Sequence, residues 1–268
     1  EQVALAVAGG RGEPVTYDLR LGDCLDPLTG LASLPDKSVD HVITDPPYEA
    51  EAHTLQRRTK STFVGSAASG EKTGMLPAIK PISFPPITAE DRIRAAAEMA
   101  RVARRWIVVF CQAEAVSAWR DALVGAGASY RRACVWIKPD GQPQLTGDRP
   151  GMGYESMVCA HAPGRSRWNG GGKHGVYTFH KQASNDSTAG VEHPTRKPVP
   201  LMEALVRDFT DAGETVLDPF SGSCTTGVAC KRLGRSFIGW EKDPRYFEIG
   251  RKRLDNAREQ LGLWNGAA

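Results

Sequence analysis

Short apolar runs alternate with amphipathic stretches along most of the chain, and this alternation predicts a sheet covered by helices. The apolar runs predict strands at residues 15–21, 41–44, 106–111, 130–137, 156–160, 214–217 and 235–240. Helical periodicity predicts helices within 87–105 and at 112–124, 199–209, 228–234 and 244–261. Because strands alternate with helices, we expect one α/β domain over residues 1–268, with a doubly wound, mostly parallel sheet.

Two segments lack this periodicity. Residues 49–86 are polar and rich in Gly, Ser, Thr and Pro, which predicts an irregular loop that either closes over a substrate or is a solvated insertion. Residues 164–190 form a second irregular segment, whose part 164–181 carries Arg, Lys and His residues, no acid, and the rings of Trp168, Tyr177 and Phe179. Cations bind phosphates and rings stack on bases, so this segment is either a small nucleic-acid recognition insertion or a solvated loop.

The overall composition limits the possible functions. With 34 Lys+Arg and 31 Asp+Glu the net charge is +3, which is too small to indicate nucleic acid, so any such affinity must come from local patches. The six cysteines and the histidines have no spacing typical of metal sites, which predicts reduced core thiols and no metal. No run of about 18 apolar residues occurs, so we expect a soluble, cytoplasmic protein without a membrane partner.

A motif with distinctive chemistry directly follows the predicted strand 41–44. Asp45 supplies a carboxylate, Pro46 and Pro47 stiffen the chain and present main-chain carbonyls, and Tyr48 adds a ring. Open α/β sheets bind their ligands at the carboxyl ends of strands. Two acceptors beside a ring suit a planar exocyclic amine, because they can accept both of its hydrogens while the ring stacks. An ordinary Pro-Pro turn after a strand is the alternative interpretation.

A second candidate site follows the predicted strand 214–217. A loop of small residues at 218–227 leads into a helix, and Gly222 permits close approach of the backbone to a ligand. The amides at the start of that helix can hold a polar or negative ligand group. Glu241 ends the next strand, where dinucleotide-binding folds place a ribose-binding acid. No Gly-Lys-Ser or Gly-Lys-Thr closes the loop, so a nucleoside-like cofactor is favoured over a phosphate.

Together these segments resemble S-adenosylmethionine-dependent amino-group DNA methyltransferases, in the permuted (beta) class where the Asp-Pro-Pro-Tyr motif precedes the cofactor loop. The resemblance covers most of the chain and rests on ordered motifs at 22–25, 45–48, 193–198 and 216–227. It implies methyl transfer to N6 of adenine in a base flipped out of duplex DNA, because Asp45 stands where N4-cytosine enzymes more often carry Ser. The alternatives are N4-cytosine methylation, a catalytically impaired DNA-binding partner subunit, and methylation of RNA or protein amides.

The resemblance also implies roles for individual residues in a prokaryotic or phage enzyme. Asp45 and the carbonyl of Pro46 accept the amino hydrogens, and Tyr48 holds the base with Pro47 stiffening the turn. The expected cofactor residues are Asp218 at the methionine amino group, Glu241 at the ribose, Asp23 at the adenine, Lys197 at the methionine end, and Cys24, Phe220, Ser221, Gly222, Ser223, Thr225 and Thr226. The expected DNA-binding residues are Arg57, Arg58, Lys60, Arg165, Arg167, Trp168, Lys173, His174 and Lys181.

The recognition region is small for a specific duplex, since such interfaces bury roughly 1,000 Å² or more. Both irregular segments together, or a second subunit in a homodimer, would supply the missing surface. Two residues depart from the family pattern. Cys224 replaces the second glycine of Ser-Gly-Ser-Gly-Thr-Thr, and a left-handed backbone there would cost roughly 1–2 kcal/mol. Arg196 stands where Gln is common and adds positive charge near the cofactor pocket.

Overall fold

The computed structural model describes residues 14–48, 85–141, 150–181 and 196–258, together with the short strands at 7–8, 62–63 and 75–76. The strands in chain order are β1 (Val7–Ala8), β2 (Pro14–Val15), β3 (Tyr17–Leu21), β4 (His41–Thr44), β5 (Thr62–Phe63), β6 (Met75–Leu76), β7 (Trp106–Cys111), β8 (Ser129–Ile137), β9 (Tyr154–His161), β10 (Val176–Thr178), β11 (Thr215–Asp218) and β12 (Ser236–Glu241). The helices are α1 (Ala89–Val102), α2 (Val116–Gly125), α3 (Val199–Phe209), α4 (Thr225–Arg232) and α5 (Pro244–Asn256).

The chain divides into two compact units. The first comprises residues 1–46 and 89–268, and the second comprises residues 47–88. In the second unit, β5 and β6 pair antiparallel, with Phe63 opposite Met75. In the first unit, β1 and β2 form a short antiparallel pair that is separate from the main sheet.

The main sheet of the first unit has eight strands in the order β10-β8-β9-β7-β4-β11-β12-β3. All neighbouring strands pair in parallel except β9, which runs antiparallel to both β7 and β8. The predicted doubly wound, mostly parallel α/β sheet is therefore confirmed. The carboxyl ends of β3, β12, β11, β4, β7 and β8 and the amino end of β9 consequently share one edge of the sheet.

The core lies on the central strands. β4 and β7 are buried at every residue, as expected for strands covered on both faces. One core cluster joins Ile43, Val108 and Phe110 of these strands to α3, α4 and α5 through residues such as Leu201 and Leu254. Helices α1 and α2 pack against each other outside this cluster. All six cysteines are buried.

The predicted strands and helices correspond to observed ones, with ends that differ by a few residues. The helix expected at 112–124 begins as a 3-10 turn at Ala113–Ala115 before α2. The structure adds β10 inside the segment predicted to be irregular, because its backbone pairs in parallel with β8 and Tyr177 is buried. In the described parts of the chain, no helix is both long and apolar enough to cross a membrane.

Candidate active site

The two predicted motifs meet at the carboxyl edge of the sheet. β4 and β11 are parallel neighbours, with Val216 opposite His41 and Leu217 opposite Val42, so the residues that follow both strands emerge side by side. The Thr44 hydroxyl donates to Oδ1 of Asp218 at 2.6 Å. Asp45 therefore begins its turn directly beside the loop that starts at Asp218.

Asp218 is a buried carboxylate held by three donors. Its Oδ2 accepts from the Thr226 hydroxyl at 2.6 Å, and its Oδ1 accepts from Thr44 and from the Phe220 N–H at 3.1 Å. Burial raises the pKa of Asp218 to about 6 and the charge of Asp45 adds to this rise, although the three hydrogen bonds oppose it. A positively charged ligand group here would relieve both the burial penalty and the repulsion, so this position fits a cation.

The loop between β11 and α4 packs closely on β12. The Ser221 N–H donates to the Trp240 carbonyl at 2.9 Å, and the Ser221 hydroxyl donates to the Asp218 carbonyl at 2.9 Å. A Cβ on Gly239 would lie 2.2 Å from the Ser221 oxygen, so the loop can pack here only against glycine. Gly222 has φ of 52°, which is the left-handed region that glycine adopts without strain.

Cys224 caps α4 in the left-handed conformation, with φ of 60° and ψ of 40°. The left-handed backbone that would strain a non-glycine residue is thus present at Cys224. It costs roughly 1–2 kcal/mol relative to a right-handed conformation. The thiol is buried, and a Cβ on Gly227 would lie 2.4 Å from its sulfur. Burial raises the pKa of the Cys224 thiol to about 12, so it stays neutral. The residue is a tightly packed cap without charge.

Arg253 of α5 fixes this loop from the far side, and sequence reasoning missed it. The side chain is 4% exposed and donates to the Ser223 main-chain carbonyl, to the Ser223 hydroxyl at 3.0 Å and to the Thr225 hydroxyl at 3.2 Å. Arginine supplies several donors in one planar group, which suits a loop with several orphan oxygens. In the sequence, Arg253 is one of several charged residues of a helix and carries no signal of this role.

Asp23 and Glu241 reach the same edge from β3 and β12. These strands pair in parallel with Glu241 opposite Leu21, and the Gly22 N–H donates to the Glu241 carbonyl at 2.9 Å. Burial raises the pKa of Glu241, whose carboxylate accepts from the Asp243 N–H at 2.7 Å. Cys24 is buried in the turn that follows Asp23.

The Asp23 carboxylate is held by Lys242 at 2.7 Å and by the Leu25 N–H at 2.9 Å. Burial works against ionisation, but these contacts outweigh it and lower the pKa of Asp23. An ionised Asp23, a half-buried Glu241 and a buried Asp218 thus line one edge of three neighbouring parallel strands. This spacing of acceptors along an edge fits a nucleoside with a cationic tail.

Lys197, predicted to line the cofactor pocket, contacts Asp45. Its ammonium lies 2.5 Å from Oδ2 of Asp45 and 3.1 Å from Oε2 of Glu155, and it stands 5.0 Å from the centroid of the Phe110 ring. Burial favours neutral Lys197, yet the two carboxylates outweigh it and raise its pKa. Glu155 itself is bonded to Lys138 at 3.1 Å. Neither Glu155 nor Lys138 was found from the sequence.

The remaining residues of the Asp-Pro-Pro-Tyr motif are divided between the units. Pro46 is buried and ends the first segment of the first unit, whereas Pro47 and Tyr48 begin the second unit. Within that second unit, the Tyr48 carbonyl accepts from the Ile87 N–H at 3.4 Å. The role of Tyr48 as a base-holding ring stays a prediction. The predicted DNA contacts of Arg57, Arg58 and Lys60 lie outside the described residues.

The candidate recognition segment is attached to the end of α3. The Trp168 ring meets Phe209 edge on at 4.9 Å, and its indole N–H donates to the Gly171 carbonyl at 3.0 Å. Two of its cations pair with acids of this region, Arg167 with Asp211 at 3.0 Å and Lys173 with Asp208 at 3.0 Å. Trp168, Arg167 and Lys173 therefore have structural contacts as well as their predicted DNA role.

The exposed side chains of this segment include those of Arg165, Arg167, Lys173 and His174, whereas Lys181 is half-buried. The Lys181 N–H donates to the Asp140 carboxylate at 2.9 Å. Their contacts with DNA stay predictions. Within the described residues, no three His, Cys, Asp or Glu side chains are grouped so that they could hold a metal ion.

Comparisons with known proteins agree with this geometry. A family model described as DNA methylase (N6 and N4) matches residues 39–252. "Putative methylase YubD" of Escherichia coli (strain K12) is 30% identical over 261 residues, which cover 92% of this chain and 93% of that protein. "Type II methyltransferase M2.DpnII" of Streptococcus pneumoniae is 50% identical over 68 residues, and this match spans 25% of this chain and 25% of that protein.

Solved structures show the same fold. The M1.HpyAVI–SAM complex superposes with a TM-score of 0.62 and 25% identity, over 89% of this chain and 100% of that chain. The PvuII cytosine-N4-specific DNA methyltransferase superposes with a TM-score of 0.67 and 19% identity, over 89% of this chain and 88% of that chain. The family uses S-adenosylmethionine, the predicted cofactor. Since the family model covers most of the sheet and both motifs, the chain belongs to the N6/N4 family of DNA methylases.

Proposed function

We propose that this chain transfers a methyl group from S-adenosylmethionine to the N6 amino group of adenine in duplex DNA. The observation that carries the proposal is the adjacency of two motifs: Thr44, which precedes Asp45, is hydrogen-bonded to Asp218, which starts the cofactor loop. An amine held at Asp45 and a ligand held at Asp218 are then neighbours on one sheet edge. Such proximity is the main requirement of a direct transfer between two bound molecules.

The cofactor assignment follows from charge and edge position. Asp218 would hold the cationic amino group of the methionine part, because its buried carboxylate gains most from a nearby positive charge. Glu241 would bind the ribose hydroxyls and Asp23 the adenine, with Cys24 behind it. The loop residues Phe220, Ser221, Gly222, Ser223, Thr225 and Thr226 would form the wall and floor of the same pocket.

The chemistry then needs little beyond positioning. An exocyclic amine is a weak nucleophile because its lone pair is delocalised into the ring. If Asp45 and the Pro46 carbonyl accept its two hydrogens, the nitrogen can become pyramidal and aim its lone pair at the methyl carbon. When bound, S-adenosylmethionine supplies an activated methyl and a good leaving group. Transfer would form the N–C bond as the C–S bond breaks, with the electron pair left on sulfur, and Asp45 would accept the proton that the nitrogen loses.

The choice of adenine rests on the first position of the catalytic motif. Asp45 stands where N4-cytosine members of the family more often have Ser, which favours N6 of adenine. The cytosine-N4 specificity in the name of the PvuII enzyme is a property of that protein. At 19% identity, its similarity to this chain supports a shared fold and not a shared specificity. N4-cytosine methylation is therefore the second candidate.

DNA contact is assigned to the exposed cations of the recognition segment and to the second unit. Arg165, Arg167, Lys173 and His174 would bind phosphates, and Tyr48 would stack on the flipped base. A homodimer would double this small surface. Removing Arg165 should weaken DNA binding uniformly across sequences and lower its salt dependence, which a titration at several salt concentrations measures.

The decisive experiment is nucleoside mass spectrometry of DNA incubated with the protein and isotopically labelled S-adenosylmethionine. Labelled N6-methyladenine supports the proposal. Labelled N4-methylcytosine contradicts the adenine assignment and keeps the methylase activity. No labelled nucleoside, with cofactor binding measured by calorimetry still present, favours an impaired DNA-binding subunit. The Asp45→Asn variant is the matched control, since it keeps the shape and an acceptor oxygen while losing the charge.

A further inference from the structure

A chain of alternating charges leads away from Asp45. Lys197 lies between the carboxylates of Asp45 at 2.5 Å and Glu155 at 3.1 Å, and Glu155 in turn binds Lys138 at 3.1 Å. Lys197 and Lys138 are nearly buried, with 7% and 8% of their side chains exposed, and Glu155 is 18% exposed. Such shielded pairs interact more strongly than pairs on the surface.

The antiparallel strand explains how these residues meet. β8 ends at Ile137, so Lys138 directly follows it, and the Lys138 N–H donates to the Gly153 carbonyl at 2.8 Å. β9 runs the other way and begins at this same edge, where Glu155 lies opposite Trp136. Lys197 directly precedes Pro198, which caps α3. Lys138, Glu155 and Lys197 are therefore each held in place by a strand or helix that they belong to or adjoin.

We propose that Glu155 is a positioning residue for methyl transfer, which shares the ammonium of Lys197 with Asp45 and so sets how readily Asp45 accepts the amino proton. The inference rests on the proposed role of Asp45. If Lys197 were bound to Asp45 alone, its full positive charge would hold that carboxylate as an ion pair and make it a weaker acceptor. Glu155 withdraws part of this charge, and Lys138 limits how much Glu155 can withdraw.

Several charged groups are linked to Asp45, either directly or through one another. Lys197 precedes α3, Glu155 is on β9, Lys138 follows β8, and Asp218 ends β11, where its pKa is raised to about 6 by burial and by Asp45 itself. Asp218 also titrates in the acid range, so the informative quantity is the displacement of the pH profile between variants. Saturating cofactor keeps the state of Asp218 the same in all of them.

The test measures kcat against pH for wild type, Glu155→Gln, Lys138→Gln and the double variant, at saturating DNA and cofactor. Glu155→Gln removes one of the carboxylates that share the ammonium of Lys197, so more of its charge acts on Asp45. The acid limb should therefore move to lower pH, and the plateau should fall about tenfold. Lys138→Gln lets Glu155 draw Lys197 away from Asp45, so its acid limb should move to higher pH. The double variant should match Glu155→Gln, because Lys138 acts through Glu155.

Each outcome decides the inference. Opposite displacements, with the KM for cofactor unchanged, support it. Displacements in the same direction, or pH profiles that match wild type, overturn it. A lowered melting temperature beside unchanged profiles shows that the role of Glu155 is merely structural. If Glu155→Gln does not fold, the sign of the Lys138→Gln displacement still decides. An active wild type with an inactive Asp45→Asn confines a failure to Glu155, whereas a wild type that methylates no nucleoside removes the proposed function and this inference with it.

Discussion

The buried carboxylate of Asp218 makes a pH-dependent prediction about stability. Burial and the charge of Asp45 raise its pKa from the ordinary 3.8 to about 6, against the hydrogen bonds from Thr226, Thr44 and Phe220. The folded chain therefore binds this proton more tightly than the unfolded chain. Without cofactor, the contribution of Asp218 to the free energy of unfolding should fall as pH rises from about 4 to about 6, by a total of about 3 kcal/mol.

The perturbation is Asp218→Asn, which cannot ionise and keeps an oxygen that accepts from Thr44. Relative to wild type, the variant should gain up to about 3 kcal/mol of stability between pH 4 and pH 7. Urea unfolding of both proteins without cofactor, at intervals of one pH unit, measures this change. The variant should lose cofactor affinity about tenfold to a hundredfold, because the amino group that we propose to lie at Asp218 would lose a charged hydrogen-bond partner.

A matched control is Asp36→Asn. In wild type the Asp36 carboxylate forms an ion pair with Arg101, and its side chain is 75% exposed. Exposed ion pairs contribute little, so this variant should show no gain of that size. The absolute stability of Asp218→Asn also reflects its altered hydrogen bonds, and for this reason the change with pH is the quantity compared. The reasoning would be refuted if the free energy of unfolding of Asp218→Asn, relative to wild type, did not change with pH or fell as pH rises.

Three further substitutions test the rest of the site. Asp45→Asn should abolish methyl transfer while calorimetric cofactor affinity stays nearly intact; equal loss of both would make Asp45 structural. Cys224→Gly relieves roughly 1–2 kcal/mol of left-handed strain but removes a buried thiol and makes the backbone less stiff. The free energy of unfolding measured with urea should therefore change by under about 1 kcal/mol. Cofactor affinity should stay the same or rise. A large drop in affinity would show that the loop needs the thiol. Arg253→Met should lower cofactor affinity about tenfold, and an unchanged affinity would contradict its loop-fixing role.

The accommodation of Cys224 bears on whether the chain is an enzyme. The strain of a left-handed cysteine is small beside the binding energy of a typical cofactor, and Gly227 and Gly250 leave room for its side chain. The substitution removes none of the acidic groups of the edge. The cofactor loop is thus compatible with binding, and the mass-spectrometric experiment separates an active enzyme from an impaired partner subunit.

The sequence by itself predicted the strands and helices and the edge of the sheet at which the two motifs meet. The short apolar run 106–111 is a strand buried at every residue, as expected for a sheet covered on both faces. The helix predicted at 199–209 has the observed bounds. Asp45 and Asp218 could be assigned to one site because each directly follows a predicted strand, and parallel strands bring their carboxyl ends to one edge. Each strand, helix and motif is predicted from its own short stretch of sequence, because hydrophobic periodicity and the residues after a strand are local features.

Only the tertiary structure decided which side chains support that site. Glu155 lies beside Lys197 because β9 runs antiparallel, and no local pattern records the direction of a strand within a sheet. Arg253 reaches the cofactor loop from a helix 30 residues further along the chain, and Lys197 meets Asp45 across 152 residues. Such contacts depend on strand order and helix packing. The sequence near each residue does not predict these contacts, because an ion pair or a loop contact forms only when the fold brings two distant segments side by side.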